Sequence, residues 1–206
     1  MAFQKYNKLR RTGIVDRPTA ELLTTYTSKV QARTTSGNII EVDKDRQVLM
    51  VVRNGKTLFA LNTSTGNGQY YLETNDKTGE YEAGRAVTPS GRFRIHTQRS
   101  EGWWKGDLGK IYKPKYFNGG RAIHGMRRVP SRPASHGCVR VSIPAMDMLW
   151  TLDWVKWGLR VWVYGDDVKA RNKPIPIPPS TTTKHTTTTV KPSSTTTSST
   201  TTLAPG

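Results

Sequence analysis

The 206-residue chain has a single cysteine. That scarcity excludes an intramolecular disulfide framework and any metal cluster built from several thiolates. No run approaches the ~18 consecutive apolar residues that a membrane-spanning helix needs. The opening segment from Met1 to Arg11 carries charges with no apolar stretch behind them, so no secretory leader is visible. Either the protein is cytosolic or this segment belongs inside a longer chain. Acids are also scarce: 15 Asp plus Glu stand against 32 Lys plus Arg, a net charge of +17. Solubility, which needs far less, a nucleic acid and an anionic polymer such as a bacterial wall are the three readings of that excess, and charge alone does not choose among them. Trp103-Trp104-Lys105 and Arg127-Arg128 offer stacking and charge, yet no nucleic-acid-binding motif appears, so nucleic acid is not the expected partner.

Composition changes sharply near Lys173. Lys173-Pro174-Ile175-Pro176-Ile177-Pro178-Pro179 is stiff and extended, because proline fixes φ and removes donors. From Ser180 to Gly206, 18 of 27 residues are Ser or Thr, which leaves too little apolar surface to offset the entropy of ordering. Residues 173–206 therefore read as a Pro-rich and then Thr/Ser-rich disordered linker. At the other end, Phe3 to Leu9 is helix-compatible, and Asp16 can cap a second short helix with Pro18 in its first turn. Between these ends, residues 38–165 read mainly as strands. Stretches 38–43 and 46–52 flank a tight Lys44-Asp45 link, and Asn54-Gly55 turns into 56–61 as a hairpin. Further strands are expected at 92–97, 122–124, 139–141 and 159–164. One helix stands out after Ser142, with Pro144 in its first turn and Met146, Leu149 and Trp150 on one face. Residues 99–120, rich in Gly, Trp and Lys, read as a long loop of the kind that carries function.

Chemistry concentrates between Ala122 and Arg140, which hold the cysteine, two of the four histidines and four arginines. A cysteine attacks as thiolate, so its pKa must fall or a base must take its proton. His136 is two residues from Cys138, too close along the chain for productive geometry. His124 lies on a different expected strand and can face the thiol across a sheet. Gly137 permits a tight backbone approach, and successive N–H groups there suit an oxyanion hole. Arg140 shares a face with Cys138 and suits a substrate carboxylate. The plainer alternatives are a cysteine that is merely a small buried hydrophobe and histidines that are structural. A zinc site from Cys138, His136 and His124 lacks a convincing fourth ligand, so neither a metal nor a cofactor is expected.

The run Ser135-His136-Gly137-Cys138-Val139-Arg140, preceded by His124, resembles the signature of the L,D-transpeptidase catalytic domain, the YkuD family. Thr88-Pro89-Ser90-Gly91-Arg92-Phe93 matches a second motif of that family, and Tyr116-Phe117-Asn118-Gly119-Gly120 is similar to actinobacterial-type members. The resemblance implies a mainly β, β-sandwich-like domain over residues 36–166 with one or two helices. It implies acyl transfer on peptidoglycan: Cys138 attacks a tetrapeptide stem, the terminal D-residue leaves, and an amine of a neighbouring stem resolves the thioester into a 3→3 cross-link. His124 would then be the base, oriented by the carbonyl of Gly125. His136, Gly137 and Cys138 would line the oxyanion hole with Ser135 in support, and Arg140 and Tyr116 would bind substrate. Residues 1–28 resemble the second half of a helical peptidoglycan-binding domain. With that likeness the chain is expected to begin inside a longer protein, to act as a monomer, and to work outside the cytoplasm at the cell wall or periplasm. An L,D-carboxypeptidase using water as acceptor, and a non-catalytic wall-binding module, are the alternatives left open.

Overall fold

The computed structural model describes residues 1–178; the Ser/Thr-rich stretch and Pro179 lie outside the described residues. Two short helices come first, α1 (Ala2–Tyr6) and α2 (Arg17–Thr25). The Asp16 carboxylate accepts the Thr19 N–H at 3.2 Å and caps α2 as the sequence suggests. Buried Gln4 ties the two helices together, its amide donating to Ile14 O at 2.8 Å and Thr19 Oγ1 at 3.0 Å.

Strands β1 (Ile39–Asp43), β2 (Val48–Arg53) and β3 (Lys56–Asn62) form an antiparallel meander. Asn54 and Gly55 turn β2 into β3 with φ of 50° and 73°, the positive values this tight turn demands. Next come β4 (Tyr70–Thr74), β5 (Tyr81–Arg85), β6 (Gly91–Arg94), β7 (Thr97–Gln98), β8 (Trp103–Gly106), β9 (Gly109–Asn118), β10 (Arg121–Met126) and β11 (Val139–Ser142). Helix α3 (Ile143–Thr151) and β12 (Arg160–Tyr164) follow. One sheet runs β3-β2-β1-β12-β6; the other runs β11-β10-β9-β7, with β8 paired to β9. The mainly β, sandwich-like class read from the sequence is the class observed.

The sandwich core joins both sheets and α3. Ile40, Val42, Leu49, Val51, Val161 and Val163 meet Phe117, Ile123, Val139, Val141, Met146 and Leu149. Ser142 caps α3 through its hydroxyl, 3.3 Å from the Ala145 N–H, and so aims Met146 and Leu149 inward. The other face of the first sheet is covered too. Ile39, Val48, Met50, Val52 and Tyr164 pack under Tyr6, Val30 and Ala32 of the N-terminal segment. Burial on both faces explains why β2 reads as a continuous apolar run instead of an alternation. Buried Glu41 accepts the backbone N–H groups of Arg33 and Thr34 at 2.9 and 2.7 Å and the Tyr164 hydroxyl at 3.0 Å.

Three elements differ from expectation; the strand read at 92–97 is split into β6 and β7, which lie in different sheets. Residues 99–120, read as a loop, contain the β8–β9 hairpin, whose outer strand has Trp103, Trp104 and Lys105 all exposed. With neither face of β8 buried there is no alternation for a sequence to display. The β4–β5 hairpin was not expected at all, for the same reason. Its base is held by Asn172, which accepts the Tyr70 N–H at 2.9 Å and donates to Tyr70 O at 2.8 Å. Its tip touches the β8–β9 turn, with Asp76 N–H on Asp107 O at 2.6 Å and Lys77 paired to Asp107 at 2.7 Å.

Candidate active site

The Ser135–Cys138 turn delivers the cysteine to the start of β11. Ser135 is buried; its hydroxyl donates to Cys138 O at 2.6 Å and accepts the Gly137 N–H at 3.1 Å. Thr88, also buried, donates to Gly137 O at 2.8 Å and accepts the Gly66 N–H at 2.9 Å. Gly137 has φ of 132°, and a Cβ there would lie 2.7 Å from Val87 O, so only glycine fits.

Strands β10 and β11 run parallel with His124 opposite Arg140. Side chains of a strand alternate, so Cys138 and Arg140 share a face, and His124 stands beside Arg140 on it. All three line one cavity of about 710 Å³ together with Tyr116, Ser135 and His136. The structure thus gathers six of the eight site residues named from sequence around one space. Gly137 and Gly125 contribute backbone instead: Gly137 shapes the turn, and Gly125 offers its carbonyl to His124.

His124 is only 2% exposed, and its Nδ1 lies 3.1 Å from Gly125 O. A carbonyl can only accept, so Nδ1 carries the hydrogen and Nε2 the lone pair. Burial pulls its pKa down to about 4, against the support of the Gly125 bond, and Arg140's charge adds to the fall. Cys138 is half-buried and unbridged. Burial pushes its thiol pKa up, opposed by the Ala122 N–H, 3.4 Å from Sγ, and by the charges of Arg140 and Arg121. At neutral pH the cavity therefore holds a neutral thiol and a neutral imidazole. That pair suits general-base activation during attack and not a standing thiolate–imidazolium ion pair.

His136 lines the same cavity and is engaged there by the β4–β5 hairpin. Its Nε2 is 2.9 Å from Glu73 Oε1, and its ring packs edge-on against Tyr71 with centroids 4.8 Å apart. The Arg140 guanidinium stays protonated although burial lowers its pKa. Its Nε is buried with no hydrogen-bond partner among the described residues. The phenol of Tyr116 is pushed up by burial and by Cys138, so it remains a neutral donor. Among the described residues no group of three His, Cys, Asp or Glu is placed to hold a metal ion.

Several contributors escaped the sequence. The Ala122 N–H and Arg121 are set by strand register, which local pattern does not reveal. Tyr71 and Glu73 reach the site from a hairpin that left no signal. Thr88 belonged to a recognised motif, but its strap across the Cys138 turn needs the fold to be seen.

Comparison with known proteins agrees with this architecture. A family model described as the L,D-transpeptidase catalytic domain, YkuD, matches residues 37–190. The crystal structure of an L,D-transpeptidase (residues 123–326) from Xylanimonas cellulosilytica is 40% identical, covering 79% of this chain and 77% of that one, with a TM-score of 0.70. An L,D-transpeptidase (Yku) from Stackebrandtia nassauensis is 22% identical over 80% of this chain and 76% of its own, with a TM-score of 0.50, a likeness of fold alone. No curated protein matches the chain.

Proposed function

This chain belongs to the L,D-transpeptidase catalytic-domain (YkuD) family, and on that premise we propose that it forms 3→3 cross-links between peptidoglycan stem peptides through a Cys138 thioester. One observation carries the reading: His124 is locked by Gly125 O with its Nε2 lone pair free, in the cavity that also holds Cys138. Nε2 takes the thiol proton as sulfur attacks the carbonyl before the terminal D-residue. The same proton then goes to the departing amine, and a thioester remains. An amine of a second stem resolves it.

The Gly137 N–H is engaged by Ser135, so the oxyanion role falls to the amides of His136 and Cys138. Arg140 and Tyr116 bind the stem, the arginine through a carboxylate that suits its fork. Peptidoglycan lies outside the cytoplasm, and the reading sets the enzyme there, working as a monomer without cofactor or metal. Among the described residues no helix is long and apolar enough to cross a membrane. Residues 1–28 are read as part of a wall-binding helical module and 173–206 as a linker.

Purified protein incubated with defined tetrapeptide stems, with products read by mass spectrometry, tests this. Cross-linked dimer is the expected product; tripeptide alone would make the protein an L,D-carboxypeptidase. Cys138→Ala should abolish both products, and His124→Ala should lower turnover by about 10²–10⁴-fold, the usual cost of a lost general base. Substantial turnover by Cys138→Ala would overturn the thioester.

A further inference from the structure

Resting on the function proposed above, we propose that Glu73 is a positioning residue for the second half-reaction: acting through His136, it readies the acceptor amine for attack on the thioester. His124 is suited to the thiol, but its pKa of about 4 makes it a poor acceptor for a proton held by an ammonium group. An amine of a second stem arrives as ammonium and must shed one proton before it can attack. The cavity offers a second imidazole, His136, with Glu73 Oε1 2.9 Å from its Nε2. A carboxylate beside one ring nitrogen compensates the charge that the ring gains when its other nitrogen takes a proton. In this proposal the other ring nitrogen, Nδ1, is the one that takes the proton.

The surroundings hold Glu73 in place. On the β4–β5 hairpin Glu73 sits directly opposite Glu82, a like-charge pair that costs stability in an isolated hairpin. Tyr71 OH and Asn75 Nδ2 each hold Glu82, at 3.3 Å, and the Tyr71 ring also abuts His136. The hairpin is pinned at its base by Asn172 and at its tip by Asp107, so Glu73 is presented from a fixed frame.

The protons balance. The ammonium gives one proton to His136 Nδ1, and the neutral amine attacks the thioester carbonyl. As the C–N bond forms, nitrogen gives a second proton to His124 Nε2, which passes it to Cys138 sulfur as the C–S bond breaks. His136 returns its proton to water.

The test separates the half-reactions in the full chain. With a tetrapeptide donor alone, rapid-quench mass spectrometry reads acyl-enzyme formation. With a second, amine-bearing stem added, it reads cross-linked dimer against hydrolysed tripeptide. Glu73→Gln should acylate within about twofold of wild type, lose tenfold or more in acceptor transfer, and shift product toward tripeptide. Glu73→Asp, which restores the charge, should recover part of the transfer. Equal loss in both half-reactions, or no change in either, overturns the role of Glu73 while leaving the thioester reading intact. If wild type forms no acyl-enzyme at all, that reading falls and this one with it.

Discussion

Cys138 and His124 are each displaced from their ordinary ionisation, and in directions that decide how the pair works. Burial raises the thiol pKa and lowers that of the imidazole to about 4. At pH 7 the thiol keeps its proton, the ring is neutral, and the ring stays neutral until the pH nears 4. Acyl-enzyme formation should therefore persist from pH 7 to pH 5 and collapse only as pH approaches 4. Alkylation of Cys138 by a neutral reagent should be slow at pH 7 and climb only above the range of an unperturbed thiol, because no standing thiolate is present. Rapid-quench acylation and alkylation rates across pH 4–10 measure both. An alkylation midpoint below about 7 would mean a preformed ion pair and would remove the general-base account. Much of this pair was legible in sequence. Cys138 stands alone as a strong nucleophile, and the strand separation already favoured His124 over His136. What sequence could not give was the burial that sets both pKa values, since burial is a property of the closed sandwich.

The same division between legible and hidden runs through the elements. Strands β1, β2, β3 and β12 and helix α3 announce themselves because burial, an Asn-Gly turn and a Ser cap each leave a local pattern. The β4–β5 and β8–β9 hairpins do not, since they stand off the core and close the cavity. The Ser135–Cys138 turn lies between these cases. Its motif is readable, but its stiffness comes from Thr88, which spans from the Gly66 N–H to Gly137 O. Thr88→Val keeps the shape and removes the hydroxyl, leaving two buried backbone groups unpaired. Each such group costs about 1–3 kcal/mol. Denaturant unfolding should show that loss, and turnover should fall with it, because the turn that presents Cys138 is no longer tied. Full stability in Thr88→Val would show that the turn is held by Ser135 alone.

Taken as a whole molecule, the N-terminal helices and the sandwich share one buried surface. Tyr6, Val30 and Ala32 cover the outer face of the first sheet, and Lys5 plants its Nζ 3.2 Å from Gln47 O and 2.7 Å from Thr63 O. Among the described residues no carboxylate is bonded to this buried amine. Burial, with a smaller push from Arg11, lowers its pKa to about 7. The unfolded chain therefore binds a proton that the folded chain lacks between pH 7 and about 10.5, the ordinary lysine value, and stability must rise with pH across that window. Between pH 7 and pH 9 the gain from this one group is on the order of 2 kcal/mol. Replacing the amine by Lys5→Met should remove that pH dependence while the helix stays docked through Tyr6. Denaturant unfolding of both proteins at pH 7 and pH 9 checks it, with wild type gaining more than the variant. The same curves bear on how the chain is organised. A single transition, followed by tryptophan fluorescence and by far-ultraviolet circular dichroism, is expected if the helices and sandwich unfold together. Two transitions, or identical pH slopes for wild type and Lys5→Met, would mean that the N-terminal segment is a separate body resting on the domain and that Lys5 is not its anchor.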